Sequence, residues 1–283
     1  MEVVLLGTGS PVPLLDRAGT STMLNVDGER LLVDCGPRTV YRLLEHEVNP
    51  GAVEHLLFTH QHMDHNASFF HFAIAGWSVG GRDELTVYGP ENTSRLLEAL
   101  EHVYEEDIEY RQQVGYSGEG IDDIEFVCAT PSFEVTIGDV RVSACPVEHS
   151  IETYAYRFDD TQTGASVVIS ADTKQVQRLA DFATGADILI HEACIAPVDN
   201  SVSEEDVMWS EFAEPMNEGK RDRLAAVHAS ASEAGEIASS AGVETLVLNH
   251  LLPYRDIGTV RRQAESTFDG RVVVAEDGDT VTP

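Results

Sequence analysis

Thr59-His60-Gln61-His62-Met63-Asp64-His65 sets three imidazoles and a carboxylate within a few residues, directly after the apolar run Val53 to Phe58. Imidazole nitrogen and carboxylate oxygen are ligands for zinc, iron and manganese. Two such ions held about 3.5–4 Å apart activate a water and stabilise the leaving oxygen of an ester. In extended backbone residues i and i+2 share a face, so His60 and His62 converge on one ion. Asp64 and His65 fall where a helix over 66–77 begins, so the same loop turns a second pair of ligands toward a neighbouring ion. A polar loop with solvent-facing histidines is the alternative, and it leaves this density of ligand-type side chains without a cause. The first chemistry implied is therefore that of a metallohydrolase.

The elements that must position this loop read as alternating strands and helices. Val3 to Leu6, Thr22 to Val26 and Leu31 to Val33 are β-like runs, with a hairpin signal at Asp27-Gly28, so the chain opens as an antiparallel meander. Helical spacing runs from Thr39 to Glu47 and stops before Asn49-Pro50-Gly51. Further on come a strand at Leu85 to Tyr88, a helix at Glu91 to Tyr104 and a hairpin between Phe133 and Ala144 around Gly138-Asp139. Tyr154 to Phe158 and Val167 to Ser170 read as paired strands, Lys174 to Phe182 as a helix and Ile188 to Ile190 as a buried strand. Ser230 to Ala241 is an Ala-rich helix, Leu246 to Leu248 a strand, Thr259 to Phe268 an amphipathic helix and Val272 to Ala275 a last strand. His149, Asp172, His191 and His250 each stand just past an apolar β-like run, which delivers metal-type side chains to one edge of a sheet, where open α/β architectures bind ligands.

No Ser/Pro/Gly-rich linker interrupts the 283 residues, so one α/β domain over 1–283 is expected. The acidic stretch 197–223, which carries Met208, Trp209, Phe212 and Met216, is either a lid or flap, or an insertion packed on the body. Eighteen basic residues stand against 49 acidic ones for a net charge of −31, and only Lys174 and Lys220 are lysines. Such a surface suits a protein kept soluble in concentrated salt, so a halophilic source is expected. The Debye length is about 3 Å at 1 M salt, so this acidity does not exclude a polyanionic substrate there. Cys35, Cys128, Cys145 and Cys194 lack any Cys-x-x-Cys spacing and read as small buried apolar residues of a reducing compartment. No apolar leader or run of about 18 apolar residues occurs, which points to a cytoplasmic protein without membrane contact; two glycosylation-type triplets, at Asn66 and Asn92, carry no weight in that setting.

Taken in order, Thr59-His60-x-His62-x-Asp64-His65, His149, Ser170-Ala171-Asp172-Thr173, His191-Glu192-Ala193, His228-Ala229-Ser230 and Asn249-His250 resemble the motif set of the metallo-β-lactamase-fold hydrolases, closest to the branch of the transfer-RNA 3′-end endonuclease RNase Z and the bacterial arylsulfatase-like enzymes. The resemblance covers residues 7 to 250. It implies an αβ/βα sandwich of two mixed sheets flanked by helices, with two divalent metal ions, zinc first and manganese or iron as alternatives. By the same resemblance His60, His62 and His149 hold the first ion, Asp64, His65 and His250 the second, and Asp172 bridges both. Asp64 also orients the attacking water, while His228 donates a proton or hydrogen bond to the transition state and Glu192 holds His228. His191 reads as structural, and His46, His55, His71 and His102 as surface residues. Gly7-Thr8-Gly9-Ser10 lacks the third glycine of a dinucleotide fingerprint and reads as a tight turn under the metal loop. Cys35 has no base nearby in sequence and reads as buried.

The resemblance loosens at the substrate. Bacterial and archaeal RNase Z enzymes carry a long Gly- and Pro-rich arm between the positions of His149 and Asp172, where this chain has 22 residues. The loop Leu15-Asp16-Arg17-Ala18-Gly19-Thr20-Ser21 and the ending Asn249-His250-Leu251-Leu252-Pro253 are nearer the arylsulfatase-like branch, and Ala229 replaces the usual middle residue of a His-Ser-Thr motif. The expected activity is hydrolysis of a phosphodiester, or a related phosphate or sulfate ester, in a small or nucleotide-like substrate. Transfer-RNA 3′ processing is the first alternative. A metal-binding homologue with little catalysis, acting through dimerisation or RNA contact, is the second. A redox role of the diiron kind is disfavoured because His62 stands where those proteins carry glutamate; a homodimer follows only by analogy.

Overall fold

The computed structural model describes residues 1–80, 82–195, 218–252 and 256–283. Of the segment 197–223, positions 197–217 lie outside the described residues, so the lid and insertion readings are not distinguished.

Two seven-stranded mixed sheets stack face to face. The first is formed by β1 (Glu2–Gly7), β2 (Ser21–Val26), β3 (Glu29–Val33), β4 (His55–Leu57), β5 (Leu85–Gly89) and β6 (Ile124–Cys128), with β14 (Thr280–Val281) closing its edge beside β1. The second is formed by β7 (Glu134–Ile137), β8 (Val140–Pro146), β9 (Tyr154–Asp160), β10 (Ser166–Ile169), β11 (Ile188–Glu192), β12 (Thr245–Asn249) and β13 (Arg271–Val274). Each sheet begins antiparallel, as β1-β2-β3 or β7-β8-β9-β10, and continues parallel, as β3-β4-β5-β6 or β10-β11-β12-β13. At the first hairpin Asp27 and Gly28 have φ of 49° and 96°, the two left-handed positions a two-residue primed turn requires.

Most strands are buried on both faces, which explains runs such as Val3-Val4-Leu5-Leu6 that show no polar alternation. Val3 and Leu5 join Leu24, Val33, Tyr156, Val167, Ile169, Ile188 and Ile190 in the core between the sheets. Their neighbours Val4 and Leu6 face outward with Met23 and Leu32, under α1 (Thr39–Glu45), α3 (Phe69–Ser78) and α4 (Ser94–Gln113). On the opposite outer face Leu189, Leu246 and Leu248 pack under α5 (Gln177–Phe182), α7 (Ala231–Ala241) and α8 (Ile257–Glu265), with α6 (Glu218–Ala225) preceding α7 in the chain. The layers therefore run helix, sheet, sheet, helix, which is the expected αβ/βα sandwich.

α7 shows why the chain folds this way locally. Ser230 accepts a hydrogen bond from the Glu233 N–H while Glu233 reaches back to Ser230, and Gly242 at φ 68° ends the helix. Gly235 lets α8 approach, since a Cβ there would lie 2.7 Å from the Ala264 carbonyl oxygen.

Two expectations need correction. The segment Gly7-Thr8-Gly9-Ser10 is not a tight turn: Gly7 ends β1 and Gly9 pairs in extended form with Leu251. Its glycines serve close approach, because a Cβ at Gly7 would sit 1.9 Å from the Gly19 oxygen and one at Gly9 2.8 Å from the Ala18 oxygen. Cys35, Cys145 and Cys194 are buried as expected, whereas Cys128 at the end of edge strand β6 is exposed. Among the described residues no helix is long and apolar enough to cross a membrane.

Candidate metal centre

Apart from His228, which follows the helix Glu218–Ala225, the ligand-type side chains of the motif set leave the carboxyl ends of strands on one edge of the sandwich. β4 runs into the loop bearing His60 and His62, and the short helix α2 (Met63–Asn66) then carries Asp64 and His65. His149 follows β8, Asp172 follows β10, Glu192 ends β11 and His250 follows β12. Parallel pairing of β10, β11 and β12 brings the last three side by side. The loop is tied down from below: the Cys35 N–H donates to the His65 carbonyl at 2.7 Å and the Ser68 N–H to the Cys35 carbonyl at 2.9 Å. A Cβ on Gly36 would collide with the Asp64 carbonyl oxygen, at 2.1 Å, so the loop rests directly on glycine backbone.

Two clusters result. In the first, His62 Nδ1 lies 3.1 Å from His60 Nε2 and 3.2 Å from His149 Nε2. The outer nitrogens are already engaged: His60 Nδ1 meets Thr59 Oγ1 at 3.0 Å and His149 Nδ1 donates to the Val227 carbonyl at 2.9 Å. The inner nitrogens of both rings are therefore acceptors, both turned toward His62 Nδ1, so the three rings converge on the one spot where a shared cation would sit. Burial pushes His60 well below the ordinary imidazole range, and His149 down to about 4, so both are neutral, as metal ligation requires.

In the second cluster His250 Nε2 lies 3.0 Å from Asp64 Oδ2, and His65 Nε2 lies 3.6 Å from the same oxygen. Nε2 of His65 is buried with no hydrogen-bond partner, while its Nδ1 donates to Asp34 Oδ2 at 2.7 Å. Burial lowers His65 and His250, but Asp172, joined by Asp34 at His65 and by Asp64 at His250, carries both above their ordinary value. This is a place where anions outweigh burial and positive charge is held.

Asp172 connects the two. Its Oδ2 is 3.8 Å from His60 Nε2 and 3.9 Å from His149 Nε2 on one side, and 3.4 Å from His65 Nε2 and 3.3 Å from His250 Nε2 on the other. Burial raises this carboxyl, yet the surrounding histidines hold it well below the usual carboxylate range. Among the described residues three groupings have the reach of a metal site: His60, His62, His149 and Asp172; Asp64, His65 and His250; and Glu192, Cys194, His228 and His250. In the third grouping His228 Nδ1 donates to Glu192 Oε1 at 2.8 Å, and the same oxygen accepts from the Thr173 N–H at 2.7 Å. Glu192 and His228 are thus spoken for as a hydrogen-bonded pair at the rim of the other two clusters.

Residues 29–251 match the beta-lactamase superfamily domain. The ribonuclease Z of Mycobacterium bovis is 30% identical over 285 residues, covering 98% of this chain and 96% of that one; the ribonuclease Z of Mycolicibacterium gilvum is 32% identical over 289 residues, covering 98% and 94%. The chain belongs to the beta-lactamase superfamily, in its ribonuclease Z branch. Among solved structures the metallo-beta-lactamase fold protein YhfI from Bacillus subtilis superposes with a TM-score of 0.74 at 23% identity, covering 99% and 98% of the two chains, and the short form of human tRNase Z with 0.70 at 19%, covering 100% and 99%. Both share the fold. Membership of this superfamily together with the two His/Asp clusters makes the chain a metal-dependent hydrolase, and its donor set fits divalent ions. Because the Mycobacterium bovis protein aligns over nearly its full length with no room for an extra segment of tens of residues, the short interval between His149 and Asp172 does not set this branch member apart from proteins called ribonuclease Z.

The structure brings together all nine residues picked out from sequence, His60, His62, Asp64, His65, His149, Asp172, Glu192, His228 and His250. Asp34 is the important omission. Its Oδ1 accepts from the Thr59 N–H at 2.8 Å, and its Oδ2 accepts from the Thr59 hydroxyl at 2.8 Å and from His65 Nδ1, so one buried carboxylate steadies ligands of both clusters. Its signal was an acidic residue at the end of an apolar strand, the same signal that marked Asp172. His191 is buried, with Nδ1 donating to the Glu192 carbonyl at 2.8 Å. His71 and His102 are exposed, but His46 is half-buried, and so is His55, beside the Tyr88 hydroxyl at 3.3 Å, which corrects the surface reading for those two residues.

Proposed function

We propose that this chain is a two-metal phosphodiesterase acting on RNA, and that it releases transfer-RNA 3′ extensions, the activity that its resemblance to the RNase Z branch implies. The observation that carries the reading is Asp172 Oδ2 standing within 4 Å of ring nitrogens from both clusters, with the His228–Glu192 pair alongside. In this reading His60, His62 and His149 hold the first ion, Asp64, His65 and His250 the second, and Asp172 both. Five imidazoles and two carboxylates suit zinc, with manganese or iron as alternatives. When bound, the ions acidify a water and offset charge on the phosphoryl oxygens. Asp64 accepts a hydrogen bond from the attacking water and orients it for in-line approach. Burial lowers His228, but Glu192, with Asp172 and Asp64 behind it, raises it to about 9, so it carries a proton at neutral pH for the departing oxygen. Glu192 keeps that imidazole oriented.

A small phosphate or sulfate ester is the second reading. It is favoured by a net charge of −31 with only two lysines, which offers little counter-charge to an RNA backbone except where salt screens the repulsion. We take the same acidity as adaptation to concentrated salt. Zinc-loaded protein assayed in molar KCl on a precursor transfer RNA, an aryl phosphodiester and an aryl sulfate separates the readings. Release of the 3′ extension supports RNA processing, hydrolysis of the aryl diester alone supports a small substrate, and hydrolysis of the sulfate alone overturns the phosphodiesterase.

A further inference from the structure

Gln61 stands between His60 and His62 in the metal loop. The rings of His60 and His62 close to 3.1 Å, whereas the half-buried amide between them is engaged elsewhere, as side-chain alternation in extended backbone requires. Gln61 Nε2 donates to Thr93 Oγ1 at 2.7 Å, and Gln61 Oε1 accepts from Asn66 Nδ2 at 3.0 Å. Thr93 is buried; it ends the 3₁₀ turn Glu91–Thr93, which follows β5 and leads into α4. Asn66 ends α2, next to His65. One amide therefore ties the extended half of the loop, which carries His60 and His62, to the helical half, which carries Asp64 and His65. The same amide ties both halves to the body of the sandwich.

Both ends of this tie answer a need of the loop. β4 and β5 pair only as far as Leu57 and Tyr88, with the Phe58 N–H still donating to the Tyr88 carbonyl at 2.8 Å, so the chain leaves the sheet before its first ligand. The Gln61–Thr93 bond renews the link between the two segments past that point. Gly89 makes room for it, since a Cβ there would lie 2.5 Å from Thr93 Oγ1. At the other end α2 has four residues, too few to hold a helix by themselves, and His62 at its N-cap makes no side-chain capping bond. The Gln61–Asn66 bond spans that uncapped turn. Asp34 holds the loop at Thr59 and His65, and Gln61 holds the stretch between them. We propose that Gln61, anchored by Thr93, is a positioning residue that keeps both ligand pairs of the metal loop in register for two ions. The inference rests on the two-ion reading above.

The test measures stepwise zinc affinities by chelator competition on metal-free protein whose folding is checked by circular dichroism. Gln61→Leu, similar in size and unable to make either bond, should weaken both zinc steps by about 10–100-fold, whereas losing a ligand to one ion weakens one step. Thr93→Val removes the hydroxyl at nearly constant shape and should act in the same direction; Thr93→Ser keeps the hydroxyl and should bind zinc as the wild type does. A side chain serving only the fold would lower the thermal midpoint of the metal-free protein and leave both affinities in place. That result overturns the proposal, as does a Gln61→Leu loss confined to one step. Should Thr93→Val not fold, Gln61→Leu decides; an unfolded Gln61→Leu also overturns the proposal, because it makes Gln61 a residue of the fold. Failure of the two-ion reading looks different: wild-type protein itself binds fewer than two ions.

Discussion

Replacing Glu192 with Gln probes whether His228 is the proton donor. Glu192 Oε1 accepts from His228 and from the Thr173 N–H, and Oε2 accepts from the Cys194 N–H at 3.2 Å. Burial pushes His228 down, and the hydrogen bond and charge of Glu192 are the chief reasons it is raised to about 9. At pH 7.5 an imidazole titrating near 9 is about 97% protonated, whereas one returned to about 6.5 or below is at most about 10% protonated. Glu192→Gln should therefore lower kcat/KM at least about tenfold at pH 7.5 and draw the alkaline limb of the pH profile acidward by about two units; bound cations place the wild-type limb at or below pH 9. His228→Ala should cost about 10²–10⁴-fold. The raised value also has a sign for stability: the pair contributes fully below the unfolded imidazole value and its contribution is lost as pH rises through the folded one. The amide turns an N–H toward a backbone donor, so a loss of about 1–3 kcal/mol in stability accompanies the change. The decisive assay compares two phosphodiesters, one leaving as nitrophenolate, which departs without a proton, and one leaving as an alkoxide. Losses concentrated on the alkoxide ester, with metal content intact, support the donor role; equal losses on both, or an unmoved alkaline limb, refute it.

Asp172→Ala should remove tight binding of both ions, while His62→Ala weakens only the first and His250→Ala only the second; equilibrium dialysis with elemental analysis reads the stoichiometry. Asp34→Asn should weaken zinc by about 10–100-fold without touching a ligand, since it strips the carboxylate from His65 and an acceptor from Thr59; unchanged affinity would reduce Asp34 to a packing residue. Raising KCl from 0.1 to 1 M shortens the Debye length from about 10 to about 3 Å, so the thermal midpoint should climb steadily with salt; a flat or falling midpoint would argue against a salt-adapted surface.

The centre was legible where ligands are close in sequence or follow an apolar strand. His60, His62, Asp64 and His65 announce themselves by spacing, and Asp172 and His250 by their place after β10 and β12. Asp34 carried the same strand-end signal as Asp172, but its partner His65 is fixed only by the pairing of β3 with β4, a tertiary fact that spacing does not encode. The antiparallel opening and the helices around Val40, Phe72 and Ile237 were readable because their apolar faces are large. β6 was missed because its five residues are only partly covered, and β14 because it has two residues. α4 runs on to Gln113, beyond the expected Tyr104, with Leu100 its only fully buried residue, so the acidic solvent face masks the helical period. The close packing of Gly7, Gly9, Gly19 and Gly36 beneath the metal loop is likewise invisible in one dimension.

The central claim is that Asp172 lies between two cations. Anomalous diffraction at the zinc edge from zinc-loaded crystals should show two peaks about 3.5–4 Å apart, one among His60, His62 and His149 and one among Asp64, His65 and His250, with Asp172 bridging them. A single peak, or ions seated away from Asp172, would contradict it.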